Sequence, residues 1–330
     1  MLTRRRRVAA SNRPLTDPNQ VYVIAEASGN HNQDRQQARL LVQAAAAAGA
    51  SAIKWQTFVA EEICADVPIL FGHDAVHDAW CRNLGVTRLR ELFQRGGLPR
   101  AWHQDLKQEA EDLGIDFLST PFSVDAAKFL VEELGVRALK IASGDLTFAP
   151  LHDYAASTGL PVIISTGGAT LDEIDETLQR YNGGKTCAWG SLETEIILLH
   201  CRSVYPCDER ILDLESLLTL RNEFRLPVGV GLSDHTLSTD LVPAMAVAYG
   251  AVMFEKHLRL TTDTSSVDVG HSLDPEAFQR YVETIRRCCA IRGTGAKEPH
   301  PLELHDRVWA RRDPSDWLRP VRAAREGEWA

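Results

Sequence analysis

Residues 133–145, "ELGVRALKIASGD", hold the end of a helix-like segment, a glycine, and a short apolar run that finishes in polar residues. The same order of features recurs in "AAGASAIKWQT" (47–57), "DLGIDFLSTPF" (112–122), "STGLPVIISTGG" (157–168) and "AYGAVMFEKHL" (248–258). Gly135 and its counterparts stand where a helix needs a left-handed residue to end, and an apolar run follows each one. Each repeat therefore predicts a helix that leads into a buried strand.

Further apolar runs bring the number of predicted strands to eight, and they lie at 21–27, 196–201 and 228–235. Segments with helical periodicity separate the strands, among them 36–48, 126–134 and 170–180. Thr170 and Glu173 have the spacing of a capping box, which predicts that a helix begins there. The connection after Phe58 is unusually long, and loops of that length are usually functional or mobile.

Continuously apolar strands that alternate with helices indicate a parallel sheet covered on both faces. Eight such units predict an α/β fold, the (β/α)8 TIM barrel, whose active site lies at the C-terminal ends of the strands. A doubly wound open sheet is the alternative, but the G-x-G-x-x-G signature after the first strand is missing. We expect residues 1–20 to form a basic tail, 21–300 the barrel domain and 301–330 a C-terminal tail.

The composition excludes several classes of protein. A chain of 330 residues with 44% hydrophobic and 25% charged residues can bury a full core. Its net charge of −9 argues against nucleic-acid binding, and the one basic cluster, residues 4–7, is expected to be a solvated tail. No apolar stretch is long enough to span a bilayer or to serve as a signal peptide, which predicts a cytoplasmic protein. Seven cysteines without a CxxC motif indicate reduced thiols.

Polar residues stand at the carboxyl ends of all eight predicted strands, where a barrel carries its active site. In chain order they are Glu26; Lys54 and Gln56; Ser119 and Thr120; Lys140 and Ser143; Ser165 and Thr166; His200 and Ser203; Ser233, Asp234 and His235; and Glu255, Lys256 and His257. Chance does not readily place a polar cluster at every strand end while the strand bodies stay apolar. This ring therefore predicts one shared site.

The residue types narrow the chemistry. Two lysines with several hydroxyl groups suit a small anion that carries phosphate and carboxylate. His235 and His257 end neighbouring strands, which lie ~4.8 Å apart, so both imidazoles can bind one divalent ion that acts as a Lewis acid on a carbonyl. With the carboxylate of Glu26 across the ring, this set suits carbon–carbon bond formation between a phosphorylated enol and an aldehyde.

Structural interpretations stay open for several of these residues. Lys54 and Lys140 need an anionic partner, and it could be Glu26 or Asp145 instead of a ligand. Serine and threonine hydroxyls could cap the next helix, and Glu255 and Asp234 could orient histidines or lysines. Among the other histidines, His200 is expected to be structural, whereas surface positions are expected for His103, His152 and His305.

The strand-end motifs together resemble those of the sialic acid synthase family, which includes N-acetylneuraminate synthase and the bacterial legionaminic and pseudaminic acid synthases. The motifs are "IAEASGNHN", "IKWQTF", "FLSTPF", "LKIASGDL", "VIISTGGATLDEI", "LLHCRSVYP", "GLSDHT", and "EKH" followed by "VDVGHSL". They run in the family's order from about residue 20 to about residue 300. The resemblance implies a TIM-barrel transferase that condenses phosphoenolpyruvate (PEP) with a sugar aldehyde, using Mn2+ or Mg2+, to give a 3-deoxy-2-ulosonic acid and phosphate.

The resemblance also implies roles for individual residues. PEP-binding positions match Lys54, Thr120, Lys140, Ser143, Ser165 and Ser233. Catalytic positions match Glu26, which works at the aldehyde end, and the metal ligands His235 and His257. Sugar-binding positions match Gln56, Asp145, Ser203, Tyr205 and Asp268. In the implied mechanism, C3 of PEP attacks the aldehyde, water adds at C2, and phosphate leaves by C–O cleavage.

Departures from the family pattern fall on the sugar side. Ser203 replaces the usual Asn, Asp145 replaces the more frequent Glu, and Ser266-Val267 replaces Gly-Pro; His73 or Asp74 lies near a position that is usually Asn. Relatives also carry a C-terminal antifreeze-like domain whose arginine reaches the sugar in the partner subunit, and residues 318–330 resemble only its start. These departures predict an acceptor other than N-acetylmannosamine, and a homodimer, if one forms, without the swapped domain.

Two other functions stay open at the level of sequence. The acceptor could be a phosphorylated aldose, for which Arg202 and Arg82 are weak candidate contacts. The protein could also be a non-catalytic sensor that binds PEP or a sugar. Glu26, His235 and His257 argue against the sensor, because a protein that only binds needs no Lewis acid.

Overall fold

Eight parallel strands form a nearly closed barrel in the computed structural model, which describes residues 15, 21–69, 81–182, 194–226, 229–263 and 265–327. The strands are β1 (Tyr22–Glu26), β2 (Ala52–Thr57), β3 (Asp116–Pro121), β4 (Leu139–Ile141), β5 (Val162–Ser165), β6 (Ile196–His200), β7 (Val230–Asp234) and β8 (Met253–His257). Hydrogen bonds join them in the order β3-β2-β1-β8-β7-β6-β5-β4, and β3 and β4 contact each other at the remaining seam. The predicted TIM barrel is confirmed.

Helices surround the strands. They are α1 (Arg35–Ala47), α2 (Ala60–Ile63), α3 (Leu89–Gly96), α4 (His103–Asp112), α5 (Val124–Lys128), α6 (Ala149–Thr158), α7 (Leu171–Arg180), α8 (Ser216–Phe224), α9 (Leu241–Ala248) and α10 (Pro275–Arg292). The predicted capping box begins α7: Thr170 accepts from the Glu173 amide, and the Glu173 carboxylate accepts from the Thr170 amide at 2.8 Å. The sequence therefore placed this helix start correctly.

The helix before β4 shows how the recurring glycine works. After α5, residues Phe129–Leu134 continue as a π-helix, and Gly135 ends it with a left-handed φ of 69°. The chain then turns directly into β4. Gly49, Gly114, Gly159 and Gly250 also have positive φ, as their places in the repeat predict.

The side chains of each strand point alternately into the barrel and outward toward the helices. Ile24, Leu118, Ile163, Ile197 and Met253 lie in the small cluster inside the barrel, whereas their neighbours along the strands pack outward against the helices. Successive strand residues point to opposite faces, so the residue two positions beyond each inner apolar residue also points inward. The barrel interior is thus apolar in its middle layer and polar at its carboxyl end.

The chain forms two compact units, Met1–Ala290 and Ile291–Ala330. Taken alone, the second unit contains α11 (Leu304–Ala310) and α12 (Arg322–Arg325). None of the helices in the described ranges combines the length and the hydrophobicity needed to cross a membrane. The predicted basic tail, apart from residue 15, and the candidate sugar-side residues His73 and Asp74 lie outside the described residues.

Candidate active site

A cavity of about 1080 Å³ opens at the carboxyl ends of the strands. The residues that line it include Glu26, Lys54, Gln56, Thr120, Lys140, Ser143, Asp145, Ser165, Ser203, Tyr205, Ser233, His235, His257 and Asp268. The fold therefore brings together every residue that was predicted to act in catalysis or to bind PEP, sugar or metal. The strand pairing explains much of this, because Glu26 lies opposite both Lys54 on β2 and His257 on β8.

Lys54 is buried among acidic and hydroxyl groups. Its ammonium contacts the Glu26 carboxylate, lies 3.6 Å from Glu255 Oε1 and donates to Thr120 Oγ1 at 2.8 Å. Burial works to lower the pKa of Lys54, but the attraction of Glu255 and Glu26 outweighs it and raises that pKa. The structure thus pairs Lys54 with Glu26, as the structural interpretation of this lysine allowed.

Lys140 is less fully paired. Its ammonium lies 3.7 Å from Glu255 Oε2 and donates to the Ile141 carbonyl at 3.3 Å. Burial lowers the pKa of Lys140, and Glu255 only partly offsets this effect. The nearby Ser165 hydroxyl is buried and has no hydrogen-bond partner within the described part of the chain. An anion that entered here would supply both groups with an acceptor.

The two buried glutamates of the cavity differ in protonation. Burial raises the pKa of Glu26 to about 7, against a partial opposing effect of Lys54. Burial acts on Glu255 as well, but Lys140 and Lys54 outweigh it and lower the pKa of Glu255. Glu255 therefore stays ionised beside the lysines, while Glu26 can gain or lose a proton near neutral pH. Such a difference between neighbouring carboxyl groups is typical of acid–base sites.

Asp145 is a further acidic residue in the lining of the cavity. Burial raises the pKa of its carboxyl group to about 6, with Lys140 as the partly opposing charge. Its Oδ2 atom is buried and lacks a hydrogen-bond partner in the described ranges. A ligand hydroxyl or amide could donate to this oxygen.

The predicted metal-binding pair lies at the β7 and β8 ends. The His235 and His257 ring centroids are 5.7 Å apart. His235 Nδ1 lies 2.7 Å from the Arg202 carbonyl, which fixes the ring and leaves Nε2 as the free ligand atom. Burial lowers the pKa of His235 to about 4 and that of His257 well below its usual value, so both rings are neutral, as metal ligands must be.

Two further groups complete this end of the cavity. Ligand atoms of His257, Asp268 and His271 all lie within 4.8 Å of one another. The His257 Nδ1 and His271 Nε2 atoms are buried, and neither has a hydrogen-bond partner among the residues that the structure describes. Buried imidazole nitrogens beside a carboxylate fit a divalent cation. The sequence motif "VDVGHSL" contained His271, but no periodicity in that loop indicated where its side chain points.

The loop after β1 holds Asp268 in place. The Gly29 amide donates to Asp268 Oδ2 at 2.9 Å, and a Cβ atom on Gly29 would overlap the Val267 side chain. Asn30 donates to the Leu258 carbonyl at 2.8 Å and accepts from Ser266 Oγ at 2.5 Å. The polar string after Glu26 therefore fastens the rim of the cavity, and Ser266, which departs from the family pattern, belongs to this fastening.

Apolar side chains also line the cavity, and the sequence analysis did not predict them; this apolar part of the lining is called the apolar wall. It consists of Ile63, Leu92, Phe93, Phe122, Phe148 and Val204. Ile63 is the last residue of α2 and Leu92 and Phe93 lie on α3, so the long connection after β2 contributes half of this wall. Tyr205 also lines the cavity, and its ring lies 4.2 Å from that of His235. The lining of the cavity thus combines charged and apolar side chains.

Several strand-end residues point away from the cavity. Asp234 and Lys256 lie on the outer face of the barrel, where Lys256 Nζ is 3.1 Å from Asp234 Oδ2 and 5.4 Å from the centre of the Tyr281 ring. His200 Nε2 lies 2.7 Å from the Leu212 carbonyl, which confirms its structural role. Arg202 pairs with Asp213 at 3.1 Å and does not belong to the described lining of the cavity.

The predicted surface position is confirmed for His305 but wrong for two other histidines. His103 and His152 are fully buried. His103 Nε2 lies 2.7 Å from Thr57 Oγ1, and His152 Nδ1 lies 2.8 Å from the Tyr181 hydroxyl. These partners satisfy the two buried rings, so a polar residue type on these helices did not imply exposure.

The sequence is similar to those of several known proteins. The chain is 38% identical over 297 residues to N,N'-diacetyllegionaminic acid synthase of Legionella pneumophila, covering 88% of this chain and 78% of that protein. It is 32% identical over 295 residues to pseudaminic acid synthase of Campylobacter jejuni, covering 88% of this chain and 80% of the relative.

A solved structure is similar as well. The N-acetylneuraminic acid synthetase from Leptospira borgpetersenii, crystallised with citrate, matches with a TM-score of 0.73 and 31% identity over 87% of this chain and 90% of its own. The model of the NeuB family matches residues 41–297, which include seven of the eight barrel strands and all of the cavity residues named above except Glu26. The chain therefore belongs to the NeuB family.

Proposed function

We propose that this enzyme condenses PEP with a sugar aldehyde, assisted by a divalent metal ion, to give a 3-deoxy-2-ulosonic acid and phosphate. The observation that carries the proposal is the position of Glu26, which lies opposite Lys54 on one neighbouring strand and His257 on the other. A carboxyl group with a pKa of about 7 thus stands between the anion-binding lysines and the imidazoles. The names of the relatives, which are synthases of legionaminic, pseudaminic and sialic acids, support the same reaction.

The anion end of the cavity suits PEP. Lys54 and Lys140 would bind its phosphate and carboxylate, and Thr120, Ser143, Ser165 and Ser233 would add hydroxyl groups. With Glu255 ionised and Glu26 protonated, the two lysines leave this end with net positive charge. Lys140, whose nearest carboxylate oxygen is 3.7 Å away, is the ammonium most available to a ligand. Bound PEP would bring negative charge close to the Glu26 carboxyl group. Its binding would therefore favour the protonated form of Glu26.

The metal end suits the aldehyde. His235 and His257 would hold the cation, which supplies Lewis-acid polarisation of a carbonyl when it is bound. Glu26, next to both ends, would exchange protons there. As C3 of PEP bonds to the aldehyde carbon, protonated Glu26 gives a proton to the aldehyde oxygen. The resulting carboxylate takes a proton from the water that adds at C2. As the bond between C2 and the phosphate oxygen breaks, the new C2 hydroxyl becomes the carbonyl, and its proton leaves with the phosphate.

The acceptor is proposed to be a sugar aldehyde other than N-acetylmannosamine. Ile63, Leu92 and Phe93 of the apolar wall would accommodate apolar substituents, whereas Asp145 and Ser203 offer polar groups in the same cavity. The described residues that line the cavity include no arginine, which gives a phosphorylated acceptor no cation beyond the PEP lysines. A cytoplasmic location, the domain boundaries and a homodimer stay predictions from the sequence.

The test combines a substrate panel with one variant. Purified protein is mixed with PEP, Mn2+ and a series of aldoses that includes N-acetylmannosamine, di-N-acetylated diaminohexoses and sugar phosphates; phosphate release is followed and the product mass is measured. A chelator should abolish release. Lys140→Met should raise the KM for PEP at least about tenfold, because it removes the available ammonium, whereas exposed Lys128→Met should not.

Two results would contradict the proposal. The absence of phosphate release with every aldehyde would refute the reaction. Turnover of N-acetylmannosamine that matches or exceeds that of the other aldoses would refute the changed acceptor.

A further inference from the structure

A small hydrogen-bonded cluster joins the carboxyl ends of three neighbouring strands. Ser143 follows β4, Gly167 follows β5 and Cys201 follows β6, and these strands are adjacent in the barrel. The Gly167 amide donates to Ser143 Oγ at 2.9 Å, and Cys201 Sγ lies 3.2 Å from the same oxygen. Ser143 therefore contacts a residue that lies two strands away.

Gly167 makes this contact possible because it has no side chain. A Cβ atom on Gly167 would lie 2.7 Å from Cys201 Sγ, which is closer than two such atoms can pack, and 3.0 Å from Ser143 Oγ. Cys201 points into the barrel, because it lies two residues beyond Leu199, an inner residue of β6. It is 2% exposed and lines the cavity together with Ser143. The thiol is thus held against the Ser143 hydroxyl.

The number of protons in the cluster limits what Ser143 can do. A hydroxyl group donates one hydrogen bond and accepts two. Burial raises the pKa of the Cys201 thiol, and Ser143 and Lys140 only partly offset this effect, so the thiol keeps its proton near neutral pH. When the thiol and the Gly167 amide both donate to Ser143 Oγ, the two acceptor positions of this oxygen are filled. The hydroxyl proton of Ser143 is then left for a third partner.

An anion in the cavity would be that third partner. Oxygen accepts hydrogen bonds better than sulfur does, so Ser143 would donate to a bound anion in preference to the thiol. Lys140 lines the same cavity, and so does Ser165, whose buried hydroxyl has no hydrogen-bond partner within the described ranges. A chain that runs from the thiol through the hydroxyl to the anion would strengthen each of its hydrogen bonds.

We propose that Cys201 is a positioning residue for PEP: its thiol donates to Ser143 Oγ and thereby turns the Ser143 hydroxyl proton toward the bound anion. The inference rests on the proposed function, because PEP is the anion assigned there to Ser143 and Lys140. Cys201 acts through Ser143, and the pattern of strand-end residues gave it no role.

PEP binding is measured apart from turnover, by calorimetric titration without an aldehyde. Cys201→Ala should weaken PEP binding about threefold to tenfold, because Ser143 loses the hydrogen bond that orients it. Ser143→Ala should weaken binding at least about tenfold, because its hydroxyl donates to the anion directly. In the double variant, Cys201→Ala should add less than about a twofold loss to that of Ser143→Ala. A cysteine that only supports the fold would instead weaken binding by the same factor in both backgrounds.

Two further variants separate this role from packing. Cys207→Ala removes another buried thiol, which donates to the Asp208 carbonyl at 3.4 Å and is not among the described residues that line the cavity, so it should leave PEP affinity unchanged. Cys201→Ser keeps a donor, so it should bind PEP more tightly than Cys201→Ala, and it replaces that variant in the comparison if the alanine variant does not fold. Melting temperatures report folding in each case.

The outcomes distinguish this inference from the proposed reaction. Wild-type affinity for PEP in Cys201→Ala, or an equal loss with and without the Ser143 hydroxyl, would overturn the role of Cys201 even if the enzyme turns over. If the two substitutions are coupled as expected but wild-type protein releases no phosphate with any aldehyde, the reaction is refuted and the role of Cys201 in binding PEP stands.

Discussion

Replacing Glu26 with glutamine tests the electrostatics of the cavity through protein stability, in metal-free protein without substrate. Glu26 is 1% exposed, and its pKa is about 7 in the folded protein compared with 4.5 for an ordinary glutamate. Between these values the folded state holds a proton that the unfolded state has released. The resulting stabilisation is complete below the unfolded pKa and is lost as the pH rises through about 7.

The size of the effect follows from linkage. For a single group with these two pKa values, the free energy of unfolding falls by about 2.5 kcal/mol between about pH 5 and about pH 8. Glutamine cannot titrate, so the unfolding free energy of the Glu26→Gln variant should lack this part of the pH dependence. Lys54 stays charged in the variant, because Glu255 remains 3.6 Å from its ammonium. Asp145 titrates in the same window in both proteins and cancels in the comparison.

The assay is urea unfolding of wild-type protein and the variant at a series of pH values, with a chelator present. As the pH rises, the unfolding free energy of the variant should increase by about 2 to 3 kcal/mol relative to that of wild type. Exposed Glu176→Gln, on α7, should run parallel to wild type. If the Glu26→Gln curve also runs parallel to wild type, Glu26 does not carry a raised pKa and the acid–base role proposed for it loses its physical basis.

Two other substitutions test the supports of the cavity. Lys256→Met should lower the free energy of unfolding, measured by chemical unfolding, by about 3 to 5 kcal/mol, because it leaves Asp234 buried without its counter-ion. The double variant that also carries Asp234→Asn should recover part of this loss. A loss below about 1 kcal/mol in the single variant would contradict the pairing. Asn30→Ala should destabilise the protein by about 1 to 3 kcal/mol and raise the KM for the aldehyde more than that for PEP, because Asn30 supports the loop of Asp268. Equal changes in both KM values, from initial rates, would refute that selective role.

The barrel was predictable because eight apolar strand-like runs alternate with helical patterns, and a left-handed glycine precedes five of these runs. The polar clusters at the strand ends were predictable for the same reason, since the lining of a barrel converges wherever the strands end. The sequence analysis did not predict in which direction each strand-end side chain points. Lys256 and Asp234 were grouped with their neighbours, although alternation along a strand turns them outward.

Residues outside the strands were harder to place. His271 follows β8 in a loop, where no period tells which way a side chain points, and its meaning depends on distances to His257 and Asp268 that only the fold supplies. The apolar wall was missed because Leu92 and Phe93 lie far along the chain from the strand ends. His103 and His152 were assigned to the surface because their hydrogen-bond partners, Thr57 and Tyr181, lie on other elements.

Alternate residues of the last strand, β8, have different roles. Glu255 and His257 line the cavity, and Lys256 between them forms an ion pair with Asp234 on the outer face of the barrel. Inserting or deleting one residue within β8 would exchange these tasks, sending an ammonium into the cavity and an imidazole toward the helices. Evolution can thus vary this strand by substitution but hardly by changes in length. New acceptor preferences would instead arise through insertions in the connection after β2, where added length leaves the alternation of every strand intact.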